Sequence, residues 1–371
     1  MHVGIPTETK NNEFRVAITP SGVAELTRRG HEVLIQAGAG EGSAIPDSEF
    51  KAAGAQLIDT AEGVWSGADL VLKVKEPTPI EYSRMRRDQT LFTYLHLAAS
   101  RSCTEALLTA GTTSIAYETV QTPDGALPLL APMSEVAGRL SAQVGAYHLM
   151  RTHGGRGVLM GGVPGVEPAT VVVIGAGTAG YNAARVATGM GAAVTVLDVN
   201  LNKLREVDHA FGGRVQTRYS TALEVAEAVK QADLVIGAVL LPGGKAPTLV
   251  SNSLVAHMKP GAVLVDIAID QGGCFQDSHP TTHDDPTFAV HDTLFYCVAN
   301  MPAAVPKTST YALTNATMPY VIELADNGWQ AACRSNPALA KGVSTHDGAL
   351  LCQRVAADLA LPFTDPAALL V

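Results

Sequence analysis

The sequence predicts an α/β protein built from two doubly wound parallel sheets, and three observations predict it. The chain has 371 residues, more than one ordinary hydrophobic core accommodates. Short apolar runs alternate with helical patterns in two successive series, the signature of strands covered on both faces. Between a strand and a helix of the second series lies a turn rich in glycine.

In the first series, strands are expected at residues 2–6, 33–36, 69–74, 90–95 and 114–118. Helical spacing of apolar residues marks 21–30, 47–55 and 100–111, each ending at or near glycine. TPDG at 122–125 signals a turn, and 132–151 reads as one long helix rich in Ala, Leu and Met. In the second series ATVVVIG, AAVTVLD, RVQTRY, ADLVIGAV and GAVLVDIAI are strands separated by helical stretches. Beyond Lys307 the pattern is helical again, with 309–329 as one long element. These observations place one domain at 129–306, inserted into a domain made of 1–128 and 307–371. There is no solenoid-type repeat and no low-complexity tract.

Composition narrows the class. A hydrophobic content of 47% against 16% charged residues fits a well-buried globular protein. The net charge of −9, without a basic block, argues against nucleic acid or an anionic membrane surface as partner. Cys103, Cys274, Cys297, Cys333 and Cys352 are far apart and form no CxxC pair, so a reducing compartment is expected. The N-terminal residues lack an apolar signal core, and no apolar run is long enough to cross a bilayer. A cytoplasmic protein is the expectation.

VVVIGAGTAG places Gly175, Gly177 and Gly180 in GxGxxG spacing, after a strand and before the helix YNAARVATGMG. The first glycine serves a tight turn, the second lets backbone approach a pyrophosphate, and the third permits close helix–strand packing. The positive end of the helix then faces the phosphates. The next strand ends in Asp198, about twenty residues on, where a carboxylate would bind adenosine ribose hydroxyls. The order strand, motif, helix, strand, acid predicts a Rossmann-like dinucleotide domain. A plainer role for Asp198, capping the helix NLNKLREVDHAF, competes with or accompanies that one. A carboxylate at the ribose repels a 2′-phosphate, which favours NAD, while Lys203 and Arg205 nearby keep NADP open. The second glycine cluster, Gly161, Gly162 and Gly165, precedes a strand where a phosphate loop should follow one, and is set aside.

Ligands of open parallel sheets collect beyond the carboxyl ends of the strands. Arg15, Lys75, His96 and Asp270 are expected at such ends, with a cleft between domains as their meeting place. Arg15 suits bidentate binding of a carboxylate. Lys75 suits the same carboxylate or a 2-oxo group, and His96 suits proton transfer near neutrality. Asp270 could orient ammonia or water. Three have a structural alternative: Arg15 paired with Glu13, Lys73 or Lys75 paired with Glu76 on an exposed loop, and His96 as a hydrogen-bonded structural residue. Asp266, inside its strand, reads as a buried structural carboxylate. No HExxH, His/Cys cluster or GxSxG is present, so neither a catalytic metal nor a serine nucleophile is implied.

The segments GIPTETKNNEFRVAITP, VKEP, HLAAS, APMSEVAGR, GAGTAG and DIAIDQGG together resemble the alanine dehydrogenases, relatives of the nucleotide-binding first domain of proton-translocating transhydrogenases. The resemblance covers effectively the whole chain. It implies two Rossmann-like domains joined by long hinge helices, a homohexamer, and NAD-dependent interconversion of L-alanine with pyruvate and ammonia. It assigns substrate contacts to Arg15 and Lys75 and the catalytic pair to His96 and Asp270. Cofactor positions implied are Ser134, the 175–180 loop with Thr178 and Ala179, Asp198, Lys203, Ser220, Val239 and Leu240. Ile267, Ala268, Ile269, Asp270, Val298, Ala299, Asn300 and Met301 complete them. His279 departs from the pattern, which has an arginine there. The transhydrogenase branch would carry an Arg-Gln-Asp loop in place of SEVAGRLSAQ and a glutamate in place of Asp270.

Overall fold

The computed structural model describes residues 1–239 and 246–366. It divides into two compact units, Met1–Met133 with Val305–Val371, and Ser134–Ala304. The division falls inside the helix Ala131–His148 and just before the helix Pro306–Ser335.

The first unit begins with β1 (His2–Ile5), β2 (Glu32–Gln36), β3 (Gln56–Ile58), β4 (Leu70–Leu72), β5 (Thr90–Thr93) and β6 (Thr113–Ala116), all pairing in parallel. β1 starts a run outward through β2 and β3, then the chain returns to place β4 on the other side of β1. Apolar residues at three- and four-residue spacing bury one face of each intervening helix. Pro20–Arg28, for instance, turns Val23 and Leu26 inward and is capped by Thr19. Trp65, Val71, Leu91 and Leu107 belong to the core on one face of the sheet. The edge strand β3 and the helix Ala61–Gly67 after it carry no clear sequence signal, because one exposed and two half-buried residues leave almost no alternation to read.

The second unit contains β7 (Thr170–Ile174), β8 (Ala193–Asp198), β9 (Val215–Tyr219), β10 (Leu234–Gly237), β11 (Val263–Asp266), β12 (Thr287–Val290) and β13 (Thr293–Tyr296). Their spatial order is β12-β13-β11-β10-β7-β8-β9, parallel except for the β12–β13 hairpin. The sequence direction reverses between β7 and β10. Continuous apolar strands such as TVVVI reflect burial on both faces. Val172, Leu264, Phe275 and Phe295 fill the core beside them.

The chain then returns to the first unit. The helix expected at 309–329 runs from Pro306 to Ser335 with a break at Gly328, whose φ of 73° is left-handed. After it β14 (Val343–His346) and β15 (Ala349–Leu350) add antiparallel edges beside β6. Both sheets are therefore mixed rather than purely parallel. The last two strands lie where a helical pattern was expected. Their local cue is Asp347-Gly348, a turn pair with both φ positive that suits a tight hairpin.

Candidate functional site

In the first unit the reversal of sheet order lies between β1 and β4, and three successive strand ends supply polar groups there. β4 and β5 stop sooner than expected, so Lys73–Lys75 and Tyr94–His96 belong to the loops beyond them. The loop after β1 supplies Glu8, Glu13 and Arg15.

Arg15 is 2% exposed and forms a two-pronged pair with Glu13, Nε to Oε1 at 2.6 Å and Nη2 to Oε2 at 2.5 Å. Nη1 faces the Met133 sulfur at 3.0 Å. Burial works against the charged guanidinium, but Glu13 outweighs it, holding the group above its ordinary pKa. The pairing with Glu13 is thus real, yet it occurs in the interior.

Lys73 and Lys75 are also buried, so an exposed pair with Glu76 is not what forms. Glu76 takes Lys10 at 2.5 Å. Lys73 Nζ lies 3.1 Å from Glu8 and 3.0 Å from Glu81. Glu8 also accepts the amides of Val74 at 2.6 Å and Lys75 at 3.4 Å, fixing the backbone that carries Lys75. The Lys75 ammonium stands 5.9 Å over the Tyr94 ring. Burial pushes the Tyr94 hydroxyl up and keeps it protonated; it donates to the Leu129 carbonyl.

His96 adopts φ 48°, ψ 39°, a left-handed conformation uncommon outside glycine. Its ring lies parallel to that of Tyr94, 9° between planes and 5.8 Å between centroids. Among the described residues its ring nitrogens make no hydrogen bond. Tyr94 therefore connects Lys75 and His96. The sequence offered its two-residue spacing from His96 as a signal, but Glu8 and Glu118 offered none.

In the second unit the glycine loop follows β7 at the reversal of sheet order. Gly175 has φ 102°, and a Cβ there would lie 2.6 Å from the Ala238 carbonyl oxygen beyond β10. A Cβ at Gly180 would lie 1.7 Å from the Gly175 carbonyl oxygen, whereas one at Gly177 would meet only Lys203 Nζ at 3.7 Å. Gly177 begins the helix Thr178–Gly189 with no side-chain cap, leaving its first amides for an anion. Two glycines are thus required by packing and one leaves room, which fits a dinucleotide pyrophosphate.

Asp198 ends β8. Its carboxylate accepts the Ala176 amide at 2.6 Å and the Asn200 amide at 2.7 Å. The helix Leu201–Phe211 is capped by Asn200 rather than by Asp198, which corrects the capping alternative. Ser220 donates its amide to the Asp198 carbonyl, and a hollow of about 600 Å³ lined by Arg218, Tyr219, Thr221 and Glu224 flanks it. Ser134 sits in the first turns of Ala131–His148, and Val239 approaches Gly175 from the end of β10. Leu240 lies outside the described residues.

β11 ends in Asp266, fully buried. It accepts the amides of Ala268, Cys274 and Phe275 and the Ser278 hydroxyl; burial raises its pKa against the lowering effect of those bonds. This carboxylate anchors the helical turn Ile267–Gln271, on which Asp270 is exposed. After β13, Val298 bridges Thr281, Asn300 turns with φ 62°, and Met301 is buried at the head of a short helix. His279 stacks on Phe288, centroids 3.7 Å apart.

The alanine dehydrogenase/PNT N-terminal domain matches residues 4–137 and the C-terminal domain residues 141–353. An alanine dehydrogenase of Mycobacterium tuberculosis is 81% identical over 370 residues, 100% of both chains. A solved L-alanine dehydrogenase superposes with TM-score 0.94 at 50% identity, covering 97% of this chain and 99% of that one. A transhydrogenase from Sinorhizobium meliloti follows at TM-score 0.79 and 26% identity, with 95% and 99% coverage. With both domain matches in chain order and this identity sustained from end to end, the chain belongs to the alanine dehydrogenase/PNT family.

Proposed function

We propose that this amino-acid dehydrogenase catalyses the reversible, NAD-dependent oxidative deamination of L-alanine to pyruvate and ammonia. The observation that carries the reading is a buried guanidinium, a buried amine and an imidazole on successive strand ends, in a chain matched over its whole length by alanine dehydrogenases.

Arg15 and Lys75 hold the substrate carboxylate and 2-oxo oxygen. Their burial removes competing water and strengthens both contacts. NAD, when bound, accepts the hydride leaving the alanine Cα. Water then adds to the resulting imine and ammonia leaves, with His96 and Asp270 moving the protons. NAD rather than NADP follows from the Asp198 carboxylate, which is already oriented by two backbone amides. Ser134, Lys203, Ser220, Val239, Ile267–Asp270 and Val298–Met301 complete the cofactor's surroundings.

A homohexamer is proposed with it. Tyr147, Met150, Leu159, Val163 and Val166 are between 48% and 63% exposed within one stretch of chain, apolar side chains that further copies would cover. Five free thiols accord with a reducing, cytoplasmic setting. Among the described residues no helix is long and apolar enough to cross a membrane.

The decisive measurement is the initial rate of NADH oxidation with ammonia and a panel of 2-oxo acids. Pyruvate should be the preferred substrate. Binding of NADH without turnover of any 2-oxo acid would overturn the reading.

A further inference from the structure

The sheet order places β6 directly beside β5, with Ala116 opposite Thr93 in parallel register. Two residues past Ala116, in the short helix Tyr117–Thr119, stands Glu118; three residues past Thr93 stands His96. The Glu118 carboxylate reaches across to the neighbouring loop. Oε1 accepts the His96 amide at 2.6 Å, and both oxygens lie 3.2 Å from the Leu95 amide. These are backbone contacts at the one residue of that loop whose φ is positive.

A non-glycine residue keeps a left-handed backbone only where its surroundings over-determine it. Two amides in series, Leu95 and His96, converge on one carboxylate, and an anionic acceptor makes the stronger kind of hydrogen bond. From that fixed backbone the imidazole is held parallel to the Tyr94 ring, 5.8 Å between centroids. Without the acceptor at Glu118, φ of His96 would be free to relax toward the extended region, and the ring would leave the Tyr94 face.

We infer that Glu118 is a positioning residue for the reaction: through the His96 amide it holds the backbone conformation from which the imidazole meets the substrate. The inference rests on the reading of His96 as a proton-transfer group. Glu118 itself transfers no proton and touches no substrate in this assignment.

Two substitutions separate geometry from charge. Glu118→Asp keeps the charge but withdraws the acceptor by one methylene; Glu118→Gln keeps an acceptor oxygen at full reach and removes the charge. The aspartate variant should lose roughly tenfold to a hundredfold in kcat, as displacements near 1 Å do, with NADH affinity unchanged. The glutamine variant should stay within about threefold of the parent, the residual loss reflecting a neutral acceptor. In a His96→Ala background, Glu118→Asp should cost nothing further, since the two residues act as one unit.

A glutamine variant worse than the aspartate variant would show that the charge of Glu118, and not its reach to the His96 amide, is what the reaction uses, and would overturn the inference. So would losses that add in the double variant, or an aspartate variant of near-native kcat beside an inactive His96→Ala. Near-native kcat in His96→Ala itself would overturn the reading of His96, and the inference with it.

Discussion

The guanidinium of Arg15 and the carboxylate of Glu13, two residues apart, face each other in parallel inside the first unit, both nearly inaccessible to water. Apolar residues of the same volume often stabilise better than such a pair. On the proposed reading its use lies in presenting a planar cation to the substrate from the loop after β1.

On that reading Arg15→Lys should raise KM for pyruvate about tenfold or more, because an ammonium cannot hold Glu13 in a two-pronged pair and also present a planar edge to the substrate carboxylate, while kcat falls less. Glu13→Gln should destabilise the protein by about 3 kcal/mol, the cost of a buried cation that has lost its counter-charge. Initial rates over a pyruvate series and urea unfolding report the two effects separately. An unchanged KM for Arg15→Lys would return this residue to a purely structural role.

The glycines make a second contrast. Gly180→Ala forces a methyl into the Gly175 carbonyl oxygen, 1.7 Å from where Cβ would stand. Stability should fall by about 4 kcal/mol or more, as overpacking against backbone does. Gly177→Ala has φ −70° and open space, so Tm should barely move. NADH binding, followed by fluorescence titration, should weaken about tenfold, because the methyl occupies the approach of the pyrophosphate. Equal thermal losses in the two variants would contradict this division of roles.

What the sequence disclosed and what it hid divide along the same physical line. The glycine loop, Asp198 and the strand ends carrying Arg15, Lys75 and His96 are fixed by local periodicity and spacing, which a linear reading detects. Glu8 and Glu118 escaped it because their partners lie on strands adjacent only in the sheet. Glu8 leaves β1 and grips the loop after β4; Glu118 leaves β6 and grips the loop after β5. Asn200 does not stand out as the cap in the sequence because Asp198, two residues earlier, has the same capping chemistry. The hairpin at Asp347-Gly348 was hidden by its brevity.

Asp198 should govern cofactor choice. Asp198→Gly removes the charge that would face the ribose and also releases the Ala176 amide in the glycine loop. The ratio of kcat/KM for NADH over NADPH should fall at least about tenfold, a shift of roughly 1.4 kcal/mol. Most of that fall should come from poorer use of NADH. A parent protein using both cofactors equally would contradict the assignment.

The buried trio Glu8, Lys73 and Glu81 gives a pH dependence of defined sign. Burial raises the Glu8 pKa, and Lys73 is the main influence holding it down. Lys73→Met removes that restraint, so the folded-state pKa of Glu8 rises further above its unfolded value. Between those two values the folded state binds more protons than the unfolded one, and stability falls as pH rises. The destabilisation, about 3–5 kcal/mol at neutral pH for a broken buried pair, should be smaller at pH 5 than at pH 8. Thermal unfolding of both proteins at the two pH values tests this. A Tm difference independent of pH would mean that Glu8 does not titrate in the variant.

Asp270 separates catalysis from cofactor binding. It stands exposed on the turn Ile267–Gln271, which Asp266 anchors from beneath through the Ala268 amide. Asn at 270 keeps the size and a hydrogen-bonding oxygen but removes the charge and the capacity to carry a proton. If Asp270 relays protons, Asp270→Asn should abolish alanine oxidation and pyruvate amination alike. NADH should still bind, because Gly175–Gly180 and Asp198 lie on other strand ends, after β7 and β8. The fold should hold as well, since Asp266 and its four partners are untouched. If Asp270 merely contacts the nicotinamide ribose, KM for NAD should rise with kcat largely kept. That second pattern would remove Asp270 from the proton path and leave His96 as its sole protein member.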